Sequence, residues 1–544
     1  MKFTSLLGVT VGAAAAVMAI VSCATSPSDK PQPTQAKTVA DAQVPTWSAD
    51  DRAFFLHGTM STEFAPEPVL RAFIKIYPDL FPDPTLANLG IIPDQTFGWP
   101  VGFSKREVPH LAGLSSVGVN CASCHVAELR PLSGGEPVRV FGVTSHFDAE
   151  AFFGAVIVAT FRTSDPKNMR AFLEAYLDER DPQPDEMKLK LRRVAFDTLW
   201  DAQASQITAA IAEDPTGSKG AGPGGLHAIQ PASVRFDGTM FATGADLAAL
   251  SKSMLRLFHN MRAALHVPDQ PPEKAPPSSG PGRNDAFGLL SYILFNTPQP
   301  YSPVKYGVVW NLRNRRWVHW DGNTQSPLGR NVLASLGLGA PLIGNEGKFD
   351  FAMVNRQTEI SEDIRAPRYP WAIDSALAKR GASHYQTLCA SCHDTPEGDA
   401  RLYAVDEIGT DPNRARGFTP EQASLFNHFL GTLESPGFAP PKEPGLRSTQ
   451  KYWAASLAGV WARAPYLHNG SVRTMADLLT APAQRPPTFQ RGSHVYDADQ
   501  MGYVSDGAYR FDTRTPGNSN AGHDYGSNLS AEQKRELIEY LKTL

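Results

Sequence analysis

The pentapeptide Cys121-Ala122-Ser123-Cys124-His125 occurs a second time, unchanged, at Cys389-Ala390-Ser391-Cys392-His393, and the two copies use four of the five cysteines in the chain. In a C-x-x-C-H sequence each thiol can add across a haem vinyl group to form a thioether, and the adjacent histidine supplies an axial nitrogen to the iron. A zinc site or a redox-active dithiol also uses C-x-x-C, but either one leaves the histidine without a role. The repeat therefore predicts two covalently bound haem groups, held by Cys121, Cys124 and His125 and by Cys389, Cys392 and His393.

The fifth cysteine, Cys23, follows a short apolar run near the amino terminus. Lys2 precedes this run, residues 6–21, which is shorter than the ~20 residues that a membrane-spanning helix needs. A small residue stands before the cysteine, so we predict a lipoprotein signal peptide over residues 1–22 and a lipid on Cys23. A plain secretory peptide cleaved near Ala24 is the alternative. Both interpretations export the chain, in agreement with haem attachment outside the cytoplasm. With Ala24 after the cysteine, we expect a lipid-anchored protein in the periplasm, at the outer membrane if the host is Gram-negative.

The composition provides ample material for two or three cores. The 544 residues are 42% hydrophobic and carry a formal net charge of −4, so no charge extreme points to a nucleic-acid partner. Proline and glycine contribute 45 and 44 residues, which is more than an ordinary helical bundle carries. We therefore expect long loops, which a cytochrome c domain tolerates because the haem itself serves as its core.

Changes of pattern along the chain divide it into segments. Residues 24–46 are rich in Ser, Thr, Pro, Gln and Ala, which is typical of a flexible tether. The first motif follows among short helical signals such as 69–76, and from residue 146 the pattern is helical, for example over 187–210. The sequence thus predicts a mainly α fold of two cytochrome c-like haem domains with a helical insertion. The predicted segments are a tether at 23–46, a first domain at 47–375 with its insertion at about 146–281, and a second domain at 376–544.

Three helices are predicted in the second domain, over residues 373–386, 419–433 and 530–544. Ser530 is placed to cap the last of them, whose apolar residues share one face. A terminal helix that packs on the helix before C-x-x-C-H is the usual cytochrome c arrangement. We therefore expect the first and last of these helices to be in contact.

Three tryptophans, Trp310, Trp317 and Trp320, fall close together in the chain. Such a group is most often part of a core. In a chain with two redox centres, the indole rings could instead lie between the haems and relay electrons or stabilise a radical. The sequence leaves both interpretations open.

A resemblance to a known superfamily becomes specific near the carboxyl terminus. The segment Ala464-Pro465-Tyr466-Leu467-His468-Asn469-Gly470-Ser471-Val472, followed by Met475-Ala476-Asp477-Leu478-Leu479, is similar to the second-domain signature of bacterial dihaem cytochrome c peroxidases and MauG. The tail, from Phe511-Asp512 through Pro516-Gly517-Asn518-Ser519-Asn520-Ala521-Gly522-His523, resembles a branch related to rubber oxygenases. The resemblance covers residues 376–544 well and the first domain more loosely.

One departure from the superfamily pattern concerns the second axial ligand of the C-terminal haem. The peroxidases have a Met and MauG a Tyr shortly after the A-P-Y-x-H-x-G segment, but residues 478–483 contain neither. The resembling branch uses a histidine for this haem. That implies His523, in the irregular loop 517–526, and hence ligation by His393 and His523 together. The rival ligands are Met475, His468, Met501 and His494.

For the first haem, no motif nominates a ligand opposite His125. His110 and His146 are candidates, but an open or water-bound position is the expected state, because peroxide or dioxygen needs it to reach the iron. The superfamily also holds a calcium ion near its domain interface through an Asn side chain. This implies Asn323 in Asp321-Gly322-Asn323-Thr324, although the same residues are typical of a plain turn.

Three functions follow from the resemblance. A peroxidase would pass electrons from a small periplasmic donor through the C-terminal haem to an open N-terminal haem, where hydrogen peroxide is reduced. A membrane-tethered cytochrome would carry electrons without catalysis. A dioxygenase resembling the rubber oxygenases would bind dioxygen and an alkene. The superfamily signature favours the peroxidase, while the missing Met and the tail favour the oxygenase.

Overall fold

The computed structural model describes residues 39–183, 185–221, 226–234, 245–267, 278–297, 299–341, 349–394, 401–433 and 445–544. The predicted signal peptide, Cys23 and most of the predicted tether lie outside these residues. Within the described ranges, no helix is both long enough and apolar enough to cross a membrane.

Helices make up most of the regular structure in the described part of the chain. The α-helices span Val39–Gln43, Ala49–His57, Glu67–Ile76, Cys121–His125, Ala149–Arg162, Pro166–Arg180, Glu186–Glu213, Pro231–Val234, Leu247–Ala264, Ala286–Phe295, Pro327–Gly337, Phe351–Glu362, Ser375–Leu388, Ala390–His393, Val405–Ile408, Asn413–Gly417, Pro420–Gly431, Met475–Leu478 and Ala531–Lys542. Short 3-10 helices span Ala87–Leu89, Pro109–Leu111, Leu312–Asn314, Val460–Arg463 and Pro482–Gln484. Each of the five segments predicted to be helical overlaps one of the α-helices, so these predictions are confirmed.

Short strands lie between the helices, and the sequence analysis predicted none of them. They span Ala65–Pro66, Phe103–Val108, Leu114–Val119, Val126–Pro131, Val138–Phe141, Arg283–Asn284, Val304–Lys305, Leu402–Ala404, Lys451–Trp453, Thr488–Arg491, Val495–Asp497, Gly502–Tyr503 and Tyr509–Asp512. Strands of this length show too few alternations of apolar and polar residues to be recognised in a sequence window.

The first motif lies at the end of a β-strand. Leu114–Val119 pairs antiparallel with Phe103–Val108, and the chain then turns into the helix Cys121–His125. Asn120 caps this helix: its side-chain oxygen accepts from the Ala122 N–H at 2.9 Å. The Asn120 amide donates to the Gly58 carbonyl at 2.8 Å. Sheet and cap together hold the first cysteine pair in place.

A four-stranded sheet joins the strands that follow the first motif to strands near the carboxyl terminus. Val126–Pro131, which directly follows the first motif, pairs antiparallel with Val138–Phe141 and parallel with Val495–Asp497. Val495–Asp497 pairs in turn with Gly502–Tyr503. The sheet therefore crosses the predicted domain boundary between residues 375 and 376, and a C-terminal strand completes the sheet that begins at the first motif.

The predicted insertion shares its core with the first domain. It contains the helices Ala149–Arg162, Pro166–Arg180, Glu186–Glu213 and Leu247–Ala264. Phe73 of the helix Glu67–Ile76 contacts Phe172 and Phe258, with ring centroids 5.3 and 5.4 Å apart. Because aromatic pairs of this kind bury a large apolar area, the insertion is part of the domain that it follows.

The second motif has the expected helical surroundings. The helix Ser375–Leu388 leads into Ala390–His393 and packs across the terminal helix Ala531–Lys542. The two long helices are in close backbone contact at Gly381, where an added Cβ would lie 2.0 Å from the Glu536 carbonyl oxygen. Only a glycine permits this approach, so the position of Gly381 in the sequence determines where the two helices can make this contact.

The terminal helix begins as predicted. The Ser530 hydroxyl accepts from the Gln533 N–H at 3.2 Å, and the Gln533 side chain accepts from the Ser530 N–H at 2.9 Å. This reciprocal pair satisfies two N–H groups that a helix start leaves without partners.

Candidate functional site

A large cavity reaches both motifs. Its volume is about 1370 Å³, and Cys124, His125, Cys389, Cys392 and His393 all line it. Pockets for a drug-sized ligand usually measure about 300–1,000 Å³, so this cavity is larger than one such ligand needs. Most of the other lining side chains are apolar. The structure thus brings the two sequence repeats to one shared interior space.

His393 is oriented by its backbone surroundings. Its Nδ1 lies 2.7 Å from the Ala455 carbonyl oxygen, which accepts the Nδ1 proton. This bond leaves Nε2 as the unprotonated nitrogen, the arrangement that metal-bound histidines usually have. Burial lowers the pKa of His393, so that the ring is neutral and able to bind a metal at neutral pH.

His523 faces His393 across the cavity. The two ring centroids are 6.2 Å apart. Two imidazoles bound on opposite sides of one iron, with metal–nitrogen bonds of about 2.0 Å, would have centroids roughly 6.3 Å apart. Burial lowers the pKa of His523 to about 4, which keeps this ring neutral as well. The residues present therefore fit a haem iron at the second motif.

Two side chains that come earlier in the chain, Arg485 and Asn469, hold the loop that carries His523. Arg485 donates to the carbonyl oxygens of Asn520, Gly522 and His523, at 2.6, 2.8 and 3.1 Å. Asn469 donates to the Ser519 carbonyl at 2.9 Å. The Asn469 bond connects the segment that resembles the peroxidase signature to the loop that supplies the second histidine.

The rival ligands for the second site differ in position. Met475 and His468 line the cavity, whereas Met501 and His494 do not. The His468 Nε2 lies 3.0 Å from the Tyr452 hydroxyl, and burial lowers its pKa to about 3. His494 donates from Nδ1 to the Glu128 carbonyl at 3.1 Å. The Nε2 of His468 is therefore already hydrogen-bonded, and His494 lies outside the cavity that the two motifs share.

The cysteines of both motifs are suited to thioether formation. None of the four is in a disulfide. Burial raises the pKa of Cys124 to about 11 and that of Cys389 to about 11. Both thiols are therefore protonated at neutral pH in the surroundings that the chain itself provides. No cluster of three or more His, Cys, Asp or Glu side chains in the described ranges could hold a metal ion.

Comparison with known proteins places the chain in a family. It is 31% identical over 320 residues to the uncharacterized protein y4iM of Sinorhizobium fredii (strain NBRC 101917 / NGR234), and the match covers 50% of this chain and 72% of y4iM. The chain belongs to the y4iM family. A second relative from the same organism, the uncharacterized protein y4iJ, is 28% identical over 389 residues, covering 55% of this chain and 65% of y4iJ.

A short segment of this chain also matches a domain family. Residues 451–490 match the RoxA-like, cytochrome c-like family. A cytochrome c-like domain is therefore present, and it implies covalently bound haem c. A solved hydrazine synthase from Kuenenia stuttgartiensis, pressurized with xenon, is 15% identical with a TM-score of 0.21 and covers 46% of this chain and 74% of its own. A score this low carries no argument about fold.

Around the first motif, neither histidine that was a candidate ligand opposite His125 lines the cavity. His110 and His146 do not line the cavity, and the His146 ring instead packs on His494 with centroids 4.6 Å apart. His319 and Arg330 do line it. The sequence analysis named neither of them. His319 stands immediately before Trp320, so it could have been considered with the tryptophan group.

Of the three tryptophans, Trp320 alone lines the cavity. Trp310 is fully buried and donates from Nε1 to the Phe141 carbonyl at 2.6 Å. The guanidinium carbon of Arg447 lies over Trp317, 3.6 Å from the ring centroid. The Trp320 Nε1 donates to the Lys305 carbonyl at 3.0 Å. A fourth indole, Trp453, also lines the cavity and donates its backbone N–H to the Trp320 carbonyl at 2.9 Å.

Asn323, the residue implied for calcium, has the contacts of a turn. Its side-chain oxygen accepts from the Thr324 hydroxyl at 2.8 Å, and its carbonyl accepts from the Arg447 N–H at 2.8 Å. Gly322 before it has a φ of +57°, which glycine adopts readily. These contacts favour the turn interpretation, and calcium stays a prediction from the resemblance.

Proposed function

We propose that this chain is a dihaem c-type cytochrome with peroxidase-like oxidoreductase activity. The observation that carries the proposal is a difference between the two motifs. At the second motif, His393 and His523 stand 6.2 Å apart and would occupy both axial positions. At the first motif, the neighbouring ring is that of Tyr306, at 6.5 Å, and its hydroxyl already donates to the Phe147 carbonyl at 3.1 Å. We infer that the second site is closed and that the first keeps room for a substrate.

Bound haem would supply the redox chemistry, held by His393 and His523 at the second motif and by His125 at the first. The chain's own residues supply the rest. Four cysteines attach the two groups, and Ala455 and Arg485 orient the histidines of the second site. We infer that a small periplasmic redox protein delivers the electrons.

Export with a lipid anchor completes the proposal. The haem c implied by the cytochrome c-like domain is attached outside the cytoplasm, which supports the predicted signal over residues 1–22 and the anchor at Cys23. Replacing Cys23→Ala should move the protein from the membrane fraction to the soluble periplasmic fraction. An unchanged distribution would contradict the anchor and leave the haem chemistry untouched.

An apolar entrance favours a second candidate, a haem-dependent dioxygenase. Val158, Leu289 and Tyr292 line the cavity, and their exposed fractions are 40%, 47% and 51%. Exposed apolar side chains beside a cavity are typical of an entrance for an apolar substrate. Oxygen consumption that depends on an added alkene, without any reaction with peroxide, would favour this candidate over the peroxidase.

The deciding experiment is electron paramagnetic resonance of the oxidised, haem-loaded protein with and without hydrogen peroxide, after the haem content per chain has been measured. We expect two haems, one low-spin and one high-spin signal, and consumption of the high-spin signal by peroxide. One haem per chain would contradict the dihaem assignment. Two low-spin signals that do not respond to peroxide would instead identify an electron carrier.

A further inference from the structure

The helix Glu186–Glu213 carries large apolar side chains on two opposite sides. Phe196 and Trp200 are buried in the core that the insertion shares with the first domain. Met187 and Leu191 each precede one of them by nine residues, which is about two and a half helical turns. These two side chains therefore lie on the side of the helix that faces away from the core.

The outer side of this helix presents a row of three apolar side chains, Met187, Leu191 and Val194, which we call the outer stripe. Their spacings of four and three residues make them neighbours on one face of the helix. Their exposed fractions are 65%, 62% and 63%. Single exposed apolar side chains are ordinary on a protein surface, but a contiguous row of them marks a binding surface.

Lysine side chains flank the outer stripe. Lys188 lies three residues before Leu191 and Lys190 lies four residues before Val194, so the two lysines stand on opposite sides of the row. The Lys190 Nζ lies 3.0 Å from the Glu186 carboxylate, and both side chains of this pair are largely exposed. An exposed ion pair of this kind is weak, so the ammonium group is free to exchange the carboxylate for another anion.

Acidic side chains mark the end of the outer stripe. Asp197 and Asp201 follow Val194 on the same helix, and their carboxylates lie 2.8 and 3.8 Å from the Arg170 guanidinium. The surface that combines apolar and basic side chains is therefore limited to residues 187–194, about 12 Å of helix.

A second copy of the chain is a poor partner for this surface. A stable protein interface buries about 800 Å² on each partner and takes about 20–30 residues from each side. The outer stripe offers three side chains. A symmetric pair through the same stripe would also bring Lys188 and Lys190 of both copies into one interface, where like charges repel.

A phospholipid surface suits the outer stripe better. The predicted lipid anchor, Cys23, lies 16 residues before Val39, where the described structure begins. A segment of this length spans at most about 55 Å, so an anchored chain always remains close to the membrane. A tethered surface needs only weak affinity to be bound most of the time. Apolar side chains between lysines are also typical of a helix that lies in the membrane interface.

We propose that the outer stripe, with Lys188 and Lys190, binds an anionic phospholipid surface. The apolar side chains enter the boundary between headgroups and acyl chains, and the long lysine side chains reach the lipid phosphates. The inference goes beyond the haem chemistry and does not depend on it. Binding through this helix gives the tethered body a fixed orientation toward the membrane.

The test uses the haem-loaded Cys23→Ala chain, which lacks the predicted lipid, and vesicles of phosphatidylglycerol and phosphatidylethanolamine. Cosedimentation at increasing lipid concentration gives the partition coefficient. Combined replacement of Met187→Gln, Leu191→Gln and Val194→Gln should lower this coefficient by at least about a hundredfold, since each inserted side chain contributes on the order of tenfold. The contact alone is weak, so the Cys23→Ala chain still leaves the membrane when cells are broken and diluted.

The charge contribution is tested separately. Lys188→Gln and Lys190→Gln should each lower the partition coefficient about fivefold on the phosphatidylglycerol vesicles. On vesicles of phosphatidylcholine alone, which carry no net charge, the same two variants should bind as the parent chain does. High salt should likewise weaken binding only to the anionic vesicles.

Leu425→Gln is the matched control. Leu425 is 39% exposed on the helix Pro420–Gly431, so its replacement removes a surface apolar group without changing the outer stripe. Its partition coefficient should equal that of the parent. The triple variant should keep the parent's haem content and paramagnetic resonance signals. If it fails to load haem, Leu191→Gln alone, with an expected loss of about tenfold, takes its place.

Two outcomes would overturn the proposal. If the triple variant and Leu425→Gln have the same partition coefficient, or if the Cys23→Ala chain binds no vesicles, the outer stripe is not a membrane surface. If the Cys23→Ala chain forms dimers in sedimentation equilibrium without lipid and the triple variant is monomeric, a second copy covers the stripe. Failure of the lipid anchor appears in cell fractionation and failure of the peroxidase function in the reaction with peroxide, so neither is confused with these results.

Discussion

His523 shows how much of a binding site can depend on one backbone conformation. Its φ is +48°, and Gly522 before it has a φ of +70°. An added Cβ on Gly522 would lie 2.2 Å from the Gly409 carbonyl carbon, so the loop passes directly against the turn at that residue. The His523 N–H donates to the Ile408 carbonyl at 2.8 Å. This close approach brings the imidazole to its position opposite His393.

Replacing His523→Met should change the second site without unfolding the protein. Because methionine ligation raises the potential relative to two histidines, we expect a higher midpoint potential for the second haem and a changed low-spin signal. Potentiometry and electron paramagnetic resonance measure both. His494→Gln, a histidine outside the cavity, is the control, and identical spectra for the two variants would contradict the assignment.

His468 should contribute a pH dependence to stability. Burial lowers its pKa from 6.5 to about 3, so between these pH values the unfolded chain binds a proton that the folded chain does not. The free energy of unfolding should be highest above pH 6.5 and should fall on acidification by about 1.4 kcal/mol per pH unit for this residue. His468→Gln should reduce that slope in denaturant unfolding of the haem-loaded protein. Parallel curves for variant and wild type would show that the ring is not buried in its neutral form.

At the scale of elements, the crossing of the helices Ser375–Leu388 and Ala531–Lys542 determines where the second motif lies. Gly381 permits the contact. The Glu536 carboxylate on the terminal helix accepts a hydrogen bond from Arg380 on the other helix and lies 3.0 Å from the His384 Nε2. The cysteines follow directly after the first of these helices. A displaced crossing would therefore displace the thiols.

Gly381→Ala should destabilise this crossing. The new Cβ would lie 2.0 Å from a backbone oxygen, and overpacking of this kind costs about 1–3 kcal/mol. Chemical denaturation of the haem-loaded variant measures the loss. Gly431→Ala is the control, since no atom lies within 4 Å of its added Cβ and the helix there should gain about 0.5–1 kcal/mol or remain unchanged. Equal stabilities for both variants would contradict the close packing.

At the scale of the whole molecule, one sheet and one cavity make the two motifs a single unit. The strand Val495–Asp497 pairs with Val126–Pro131 directly after the first motif, and residues of both motifs line the cavity. Trp320 lines this cavity, and its carbonyl accepts a hydrogen bond from the Trp453 N–H. Electron transfer between two bound haems would therefore pass through one continuous interior and not between separate lobes.

The three tryptophans should differ in their effect on electron transfer. Because Trp320 lines the cavity and the other two do not, Trp320→Phe should slow transfer between the two haems, while Trp310→Phe and Trp317→Phe should leave the rate unchanged. Flash photolysis of the half-reduced protein measures these rates. Equal rates in all three variants would rule out an indole relay.

The sequence by itself determined the covalent chemistry and the local elements. Two C-x-x-C-H motifs, a capping serine at 530 and the helical periods are local patterns, and local patterns can be read without the fold. His523 was also reachable, because a family resemblance pointed to its loop. Arg330 was not, since it belongs to no motif and only the fold brings it to the wall of the cavity. The sheet across the chain and the shared cavity were likewise decided by tertiary structure alone, because contacts between residues far apart in sequence leave no periodic signal in it.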